Sequence, residues 1–367
     1  MYRSCLAAGL TVLALFASSA RAVDAKPGDI LVARPDMAKL EQAAAAGDVK
    51  AQVELGNIYF RGEGVATDES QAIGWYRKAA AKGDDWSEFS LGMIYAFGKV
   101  TPRDYPQAAA WFDKSALNGD LLSAIMLGGM YEQGLGVRQS HSIAIGWFKV
   151  AADRGLAKGQ YLLAAAYMKG TPEQQAKVAP LLQNAADQGE ALAQDLLGTL
   201  YVSGSLVAKD TVKGLGLMRQ AAVQGDLDAE CRLGTYFLVT AGVSAEDKTQ
   251  ARTWLRQGAA KGGAQAVECL NMEAWILATA TDPAQRDSMK AVDYAAQAVA
   301  LAPDSASCLD TLAAAYAAAG RYDEAVTEQQ KALAAMTSRQ KDAGRSEGMQ
   351  ARLELYRARK PYIDPSS

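Results

Sequence analysis

One period organises the chain. Leu55-Gly56, Leu91-Gly92 and Leu127-Gly128 stand 36 residues apart, Leu163-Ala164 continues the series, and Tyr59, Tyr95, Tyr131 and Tyr167 keep the same interval. Trp75, Trp111 and Trp147 repeat it again. Past Gly170 the register shortens by two residues, to Leu197-Gly198 and Tyr201. Leu233-Gly234 and Phe237 follow, and one inserted residue near Gly242 moves the next tryptophan to Trp254. A fixed period of this length marks units that cannot bury their own apolar faces and must stack on their neighbours.

Within the unit from Ala51 to Asp84, Ala51, Leu55 and Tyr59 are four apart and share one face of a first helix. Gly56 weakens that helix by about 1 kcal/mol relative to Ala, so its recurrence marks a place where a neighbouring helix comes close. Gly62 and Gly64 break the helix, because glycine accepts positive φ without a Cβ clash. A second helix carries Ala72, Trp75, Tyr76, Ala79 and Ala80 at three- and four-residue spacing, and Gly83 ends it. The predicted fold is all-α: a right-handed α-solenoid of stacked helix-turn-helix repeats.

Composition agrees with this and excludes several alternatives. Half of the 367 residues are hydrophobic but only 8% are aromatic, and Ala and Gly supply much of the rest. Small side chains suit close helix packing and argue against an all-β sandwich. Lys and Arg number 38 against 41 Asp and Glu, with no basic block, so no nucleic-acid surface is expected. The single histidine, His141, removes His-rich metal sites and multi-histidine relays.

The string Leu-Gly-x-x-Tyr-x-x-Gly-x-Gly-Val, then Ala-x-x-Trp-Tyr-x-Lys-Ala-Ala-x-x-Gly, resembles the Sel-one-like repeat, a relative of the tetratricopeptide repeat. The first unit matches in full through Gly62, Gly64, Val65, Trp75, Tyr76, Lys78, Ala79, Ala80 and Gly83. The third nearly does, through Gly134, Gly136, Val137, Trp147, Phe148, Ala151, Ala152 and Gly155. The fourth loses the Gly-x-Gly loop and the tryptophan, so a kink or altered stacking is expected between Gly170 and Pro180. The resemblance covers residues 37–263. Across 264–337, Leu312, Ala313, Tyr316, Gly320, Tyr322, Ala325, Ala332 and Leu333 resemble a tetratricopeptide repeat, preceded by a degenerate one with a loop around Thr281 to Ser288. Residues 338–367 read as a charged capping helix followed by a frayed tail from Asp364.

The N-terminus reads as an export signal over residues 1–22, followed by a linker over 23–36. Arg3 gives a positive start, Leu6 to Phe16 an apolar stretch, and Ala20-Arg21-Ala22 a cleavage site. That stretch is short for a membrane span, and no transmembrane segment is expected elsewhere. The expected location is periplasmic. The remaining Cys231, Cys269 and Cys308 are an odd number, read first as buried free thiols, with one disulfide among them as the alternative.

No catalytic constellation emerges. Ser338-Arg339-Gln340-Lys341 has the Ser-x-x-Lys form of penicillin-interacting enzymes but lacks the accompanying motifs. The Gly-x-Gly pairs lack the preceding strand that a phosphate loop needs. His141 sits at a helix start as a solvated or capping residue, and Asp84-Asp85 and Asp323-Glu324 suit helix N-termini. Trp75, Trp111, Trp147 and Trp254 hold the packing position of the repeat. No cofactor and no metal is expected.

Mapping the first helices onto the tetratricopeptide pattern places Lys50, Val53, Asn57, Phe60 and Arg61 on a concave groove, then Trp86, Phe89, Met93, Ala96 and Phe97 one unit later. Leu122, Ile125 and Glu132 follow, then Lys158, Tyr161 and Met168. Of these, Asn57, Phe60, Arg61, Trp86, Phe89, Met93, Phe97, Ile125, Tyr161 and Met168 form the predicted partner-binding set, since exposed apolar patches and aromatic residues mark interfaces. Later units carry Asp195, Thr199, Asp228 and Thr235 there, so the groove should turn polar or acidic. The resemblance implies a non-enzymatic scaffold that binds another protein, as a peptide or a domain, in envelope assembly, secretion or signalling. The alternatives are a carbohydrate-binding envelope module and, from the cysteine-rich branch of the family, a β-lactam-interacting enzyme.

Overall fold

The structure, a computed structural model, describes residues 36–98, 101–240, 244–263, 266–336 and 345–365, and among them all regular structure is helical. The expected leader, nearly all of the linker and the Ser338-x-x-Lys341 segment lie outside the described residues. Two compact units divide between Gln188 and Gly189.

The first unit opens with α1 (Met37–Ala45) and continues as helix pairs: α2 (Val49–Arg61) with α3 (Glu69–Ala80), α4 (Asp85–Phe97) with α5 (Tyr105–Leu117), and α6 (Leu121–Gln133) with α7 (His141–Asp153). Its last pair is α8 (Ala157–Tyr167) with α10 (Val178–Asp187). The altered stacking expected after Gly170 takes a specific form. An extra short helix, α9 (Pro172–Gln175), replaces the Gly-x-Gly loop, begun by a Thr171–Gln174 capping box and tied back by Gln175 Nε2 donating to the Met168 carbonyl at 3.1 Å.

The second unit pairs α11 (Ala191–Ser203) with α12 (Thr211–Val223) and α13 (Leu227–Val239) with α14 (Ala245–Lys261). The tetratricopeptide-like segment supplies α15 (Val267–Thr279) with α16 (Ser288–Leu301) and α17 (Ala306–Ala318) with α18 (Tyr322–Ala335). The inserted loop between α15 and α16 carries one 3-10 turn, Pro283–Gln285. Helix α19 (Arg345–Arg357) packs on α18.

Many helix starts are fixed by a capping aspartate. Asp48, Asp84 and Asp226 accept from the backbone N–H three residues on in first helices, and Asp68, Asp104 and Asp210 do so in second helices. Between first and second helices, Gly62 and Gly134 end the chain turn in the left-handed region at φ 74° and 71°, where a Cβ would be strained.

Packing explains the recurring Leu-Gly. Leu55, Leu91, Leu127, Leu197 and Leu233 are buried, and the adjacent glycine receives a large side chain of the second helix. A Cβ at Gly56 would fall 2.5 Å from Tyr76, one at Gly92 2.6 Å from Phe112, and one at Gly128 2.6 Å from Phe148. Gly198 meets Met218 and Gly234 meets Leu255 in the same way. A second period, not seen in the sequence reading, is polar. Buried Glu88 accepts from Asn118 Nδ2 at 2.9 Å and pairs with Lys114 at 2.7 Å. Gln160 accepts from Gln188 at 3.0 Å, Gln194 from Gln224 at 2.8 Å, and Glu230 from Lys261 at 2.8 Å. Each rung ties the start of a first helix to the end of its second helix and leaves a buried polar group satisfied.

Two expectations are corrected. Cys231 and Cys269 form a disulfide between α13 and α15, their Cα atoms 4.9 Å apart, and Cys308 is a buried free thiol. The bond is possible because both residues face the same helix seam, a juxtaposition that a count of three does not disclose. The tail is not frayed at Asp364: its amide donates to the Thr279 carbonyl at 2.8 Å, its carboxylate accepts from Trp275 Nε1 at 2.9 Å, and Tyr362 stacks on the Trp275 ring.

Candidate functional site

In the first unit the predicted set gathers on the first-helix face, and the structure divides it. Phe60 on α2 and Trp86 on α4 are 42% and 49% exposed, unusual for such large apolar groups, and Leu122 on α6 adds a third exposed side chain. Trp86 is held in place. Its indole N–H reaches Asn57 Oδ1 at 3.5 Å, and its ring leans on Phe89 with centroids 5.9 Å apart. Asn57 also accepts from the Tyr76 hydroxyl at 2.8 Å, and burial pushes that phenol up to about 12. Asn57 is thus a brace beneath Trp86 more than a free contact. Arg61 is exposed and pairs with Glu63 at 3.3 Å.

Phe89, Met93 and Phe97 are half-buried against the core that contains Phe112, with Phe89 and Phe112 centroids 6.0 Å apart. They support the strip from below. Tyr161 and Met168 on and just after α8 are half-buried, and Lys158 stands over the Tyr161 ring at 5.4 Å. Ile125 is the exception. It is 0% exposed and lies in the packed interior of α6, where a run of consecutive buried residues from Ser123 to Met130 leaves no open face at that position. The groove mapping therefore fails at Ile125, and also at Ala96, which is buried.

Residues read as structural behave so. Trp75, Trp111, Trp147 and Trp254 are partly buried against the packed clusters. His141 is exposed at the start of α7, with Nδ1 2.7 Å from Glu132 Oε2. Asp84 caps α4, and Asp323 and Glu324 occupy the first turn of α18. Among the described residues no group of His, Cys, Asp or Glu is placed to hold a metal ion, and no helix is long and apolar enough to cross a membrane.

In the second unit the corresponding positions carry polar residues. Asp195 and Thr199 lie on α11, and Asp228, Arg232 and Thr235 on α13, with Asp195 buried and ion-paired to Arg232. Sequence reasoning missed Arg232, because it lies one residue beyond the position that the 36-residue register assigns opposite Asp195. The first-helix positions thus offer exposed apolar side chains in the first unit and carry polar and charged residues in the second.

Comparison with known proteins follows the same lines. No curated protein sequence matches the chain. A crystal structure described as a protective antigen present in uropathogenic Escherichia coli strains, displaying an SLR fold, is 28% identical with a TM-score of 0.66, covering 89% of this chain and 68% of that one. A Sel1 repeat protein from Oxalobacter formigenes is 25% identical with a TM-score of 0.53, covering 60% of this chain and 98% of that one. The Sel1 repeat profile matches residues 49–84, 87–120, 121–156, 157–190, 191–226 and 227–263, more than half of the sequence. By these repeats and this α-solenoid fold, the chain belongs to the Sel1 repeat family.

Proposed function

We propose that the chain is an exported, non-catalytic scaffold that holds a protein of the bacterial envelope on the first-helix face of its first unit. Repeats of this kind suggest a protein–protein interaction scaffold, and the observation that carries the finer reading is Phe60 and Trp86. Both leave large apolar area in water, and Trp86 is pre-positioned by Asn57 and Phe89, so little side-chain freedom is lost when a partner covers it. Rigid aromatics of this sort anchor interfaces. Export is supported by the leader-like residues 1–22 and by the Cys231–Cys269 bond, which belongs to oxidising compartments. The partner is a peptide or a domain presenting an apolar side chain to this strip, in assembly, secretion or signalling.

The test is capture from a native envelope extract with the chain from Val23 onward as bait. Phe60→Ala combined with Trp86→Ala is expected to abolish capture while leaving the helical melt unchanged, because neither side chain is in the core. Undiminished capture by the double variant overturns the assignment. Phe89 and Phe97 are poorer probes, since their loss also empties packing against the core.

A further inference from the structure

One seam of the first unit is left open. The second helix of the fourth repeat, α10, aligns with α7 at an offset of 34 residues, so that buried Val178, Leu182, Ala185 and Ala186 match buried Ala144, Phe148, Ala151 and Ala152. In this register Leu181 stands where α7 carries Trp147 and α5 carries Trp111. Helix α10 also has 10 residues against 13 in α5 and in α7, because α9 takes up the chain that would form its first turn. With an indole and a helical turn both missing, a cavity of about 400 Å³ remains between α7, α8 and α10. Buried Leu163 and Tyr167, with Leu181, give it apolar surface, while exposed Lys149, Asp153 and Lys177 bring charge to it.

The same seam two repeats earlier, between α3, α4 and α5, is closed. Arg77, Tyr95 and Gln107 there correspond to Lys149, Tyr167 and Lys177. Arg77 donates to the Tyr95 hydroxyl at 2.7 Å and to Gln107 Oε1 at 3.4 Å, and Trp111 packs against the core. In the fourth repeat the accepting amide has become a second cation. Two ammonium groups have no acceptor to offer each other, so this seam cannot be tied shut in the same way. Lys149 pairs instead with Asp153, one turn further along α7, and Lys177 has no ion pair among the described residues. Two lysines against one aspartate leave the lining at 2 − 1 = +1.

We propose that this seam binds a small amphipathic carboxylate, its acyl chain resting on Leu163, Tyr167 and Leu181 and its carboxylate received by Lys177, with Lys149 as the second cation. The cavity volume falls within the range of about 300–1,000 Å³ usual for small-molecule sites, which combine apolar walls with a few polar groups that fix orientation. A compact anion such as phosphate would satisfy the lysines and leave the apolar wall wet, whereas an uncharged chain would leave Lys177 without a partner. None of the lining residues belongs to the strip around Phe60 and Trp86, so the proposal does not depend on the scaffold reading.

The experiment is calorimetric titration of the intact oxidised chain with decanoate, decanol and decylamine, each kept below the concentration at which it aggregates. One decanoate per chain is expected, held about tenfold more tightly than either comparator and less tightly as salt rises. Leu181→Trp restores the indole of the other repeats and should abolish binding while the chain still melts cooperatively. Lys177→Glu, exposed and outside the core, should reduce affinity by about tenfold or more and carries the test if the tryptophan variant does not fold. Absence of binding, decanol or decylamine binding as tightly as decanoate, or undiminished binding in a folded variant overturns the proposal. Phe60→Ala combined with Trp86→Ala should leave decanoate binding unchanged. Loss of decanoate binding in that double variant would place the ligand on the strip, so the proposal would fail while the scaffold reading, tested by envelope capture, would stand.

Discussion

Reducing the Cys231–Cys269 bond is expected to weaken the second unit by an amount that follows from chain statistics. The bridge closes a loop of sequence separation 38, and the loop-entropy relation gives about 4 kcal/mol at 25 °C for that length. Both cysteines are fully buried, so Ala in their place removes two small side chains and adds only a minor packing loss. The site is also sterically tuned: a Cβ at Gly258 on α14 would overlap the Cys269 sulfur and stand 3.1 Å from that of Cys231. Guanidinium unfolding of oxidised chain, reduced chain and the Cys231→Ala, Cys269→Ala variant would measure the effect. With a slope of roughly 4 kcal/mol/M, the midpoint of the second unit should fall by about 1 M. Because repeats contact only their neighbours, amide exchange should accelerate in α13 to α15 and stay unchanged in α2 to α5. Equal midpoints for the oxidised and reduced forms would refute the entropy argument. Labelling of all three thiols, Cys308 included, in denaturant without prior reduction would refute the bridge itself.

Three further outcomes are open to measurement. Gly92→Ala forces a methyl against Phe112, an overpacking loss of about 1–3 kcal/mol partly offset by the helix preference of Ala, about 1 kcal/mol; Phe112→Leu should relieve it, so urea midpoints of the four-member cycle should show the double variant less destabilised than the sum of the singles. Asp195 has its carboxyl pushed up to about 7 by burial, which outweighs the pull of Arg232. A raised carboxyl binds its proton more tightly in the folded state, so its contribution to stability is present below about pH 4 and lost as pH rises through about 7. Asp195→Asn should flatten that part of the pH profile of the second unit, and an unaltered profile contradicts the assignment. Arg352 on α19 donates two hydrogen bonds to Asp310, at 2.9 and 2.7 Å, and both side chains are largely buried. Arg352→Ala strands that carboxylate and should cost about 3–5 kcal/mol locally, seen as loss of exchange protection in α19 before any other helix.

What the sequence displays and what it hides divide along physical lines. The helices, their glycine ends and the close approach at Gly56, Gly92 and Gly128 were legible, because steric demands recur wherever the unit recurs and every copy must satisfy them. The polar rungs were not. Glu88 with Asn118 and Gln160 with Gln188 change residue type from unit to unit while keeping geometry, so a search for repeated letters passes over them. The disulfide was hidden for another reason: its 38-residue separation exceeds the period by two, so the two cysteines do not occupy the same position of the repeat. Of the candidate site, Phe60 and Trp86 were found and Ile125 was not excluded. Its helix, α6, is apolar on several faces, so spacing alone cannot say which side is covered.

The contrast between fixed and variable positions has a consequence for function. In five repeats the first helix carries a buried Leu, at positions 55, 91, 127, 197 and 233, followed by a Gly that receives a side chain of the partner helix; Ala164, Leu270 and Ala306 stand at the glycine position in the others. The residue after that position runs Asn57, Met93, Gly129 and Ala165 in the first unit, then Thr199, Thr235, Asn271 and Ser307 in the second. Glycine, hydroxyl, amide and thioether all occur at this one repeat position. A position that the fold leaves free yet holds at a constant repeat interval is where a solenoid can change its chemistry without changing its shape. In this chain that position braces an exposed tryptophan in one unit, through Asn57, and carries Thr199, Thr235 and Asn271 in the other. One repeat position thus carries different chemistry in the two units, and exchanging Thr199 and Thr235 for Ala should change the stability of the second unit in urea unfolding by less than about 1 kcal/mol, since neither hydroxyl has a hydrogen-bond partner among the described residues.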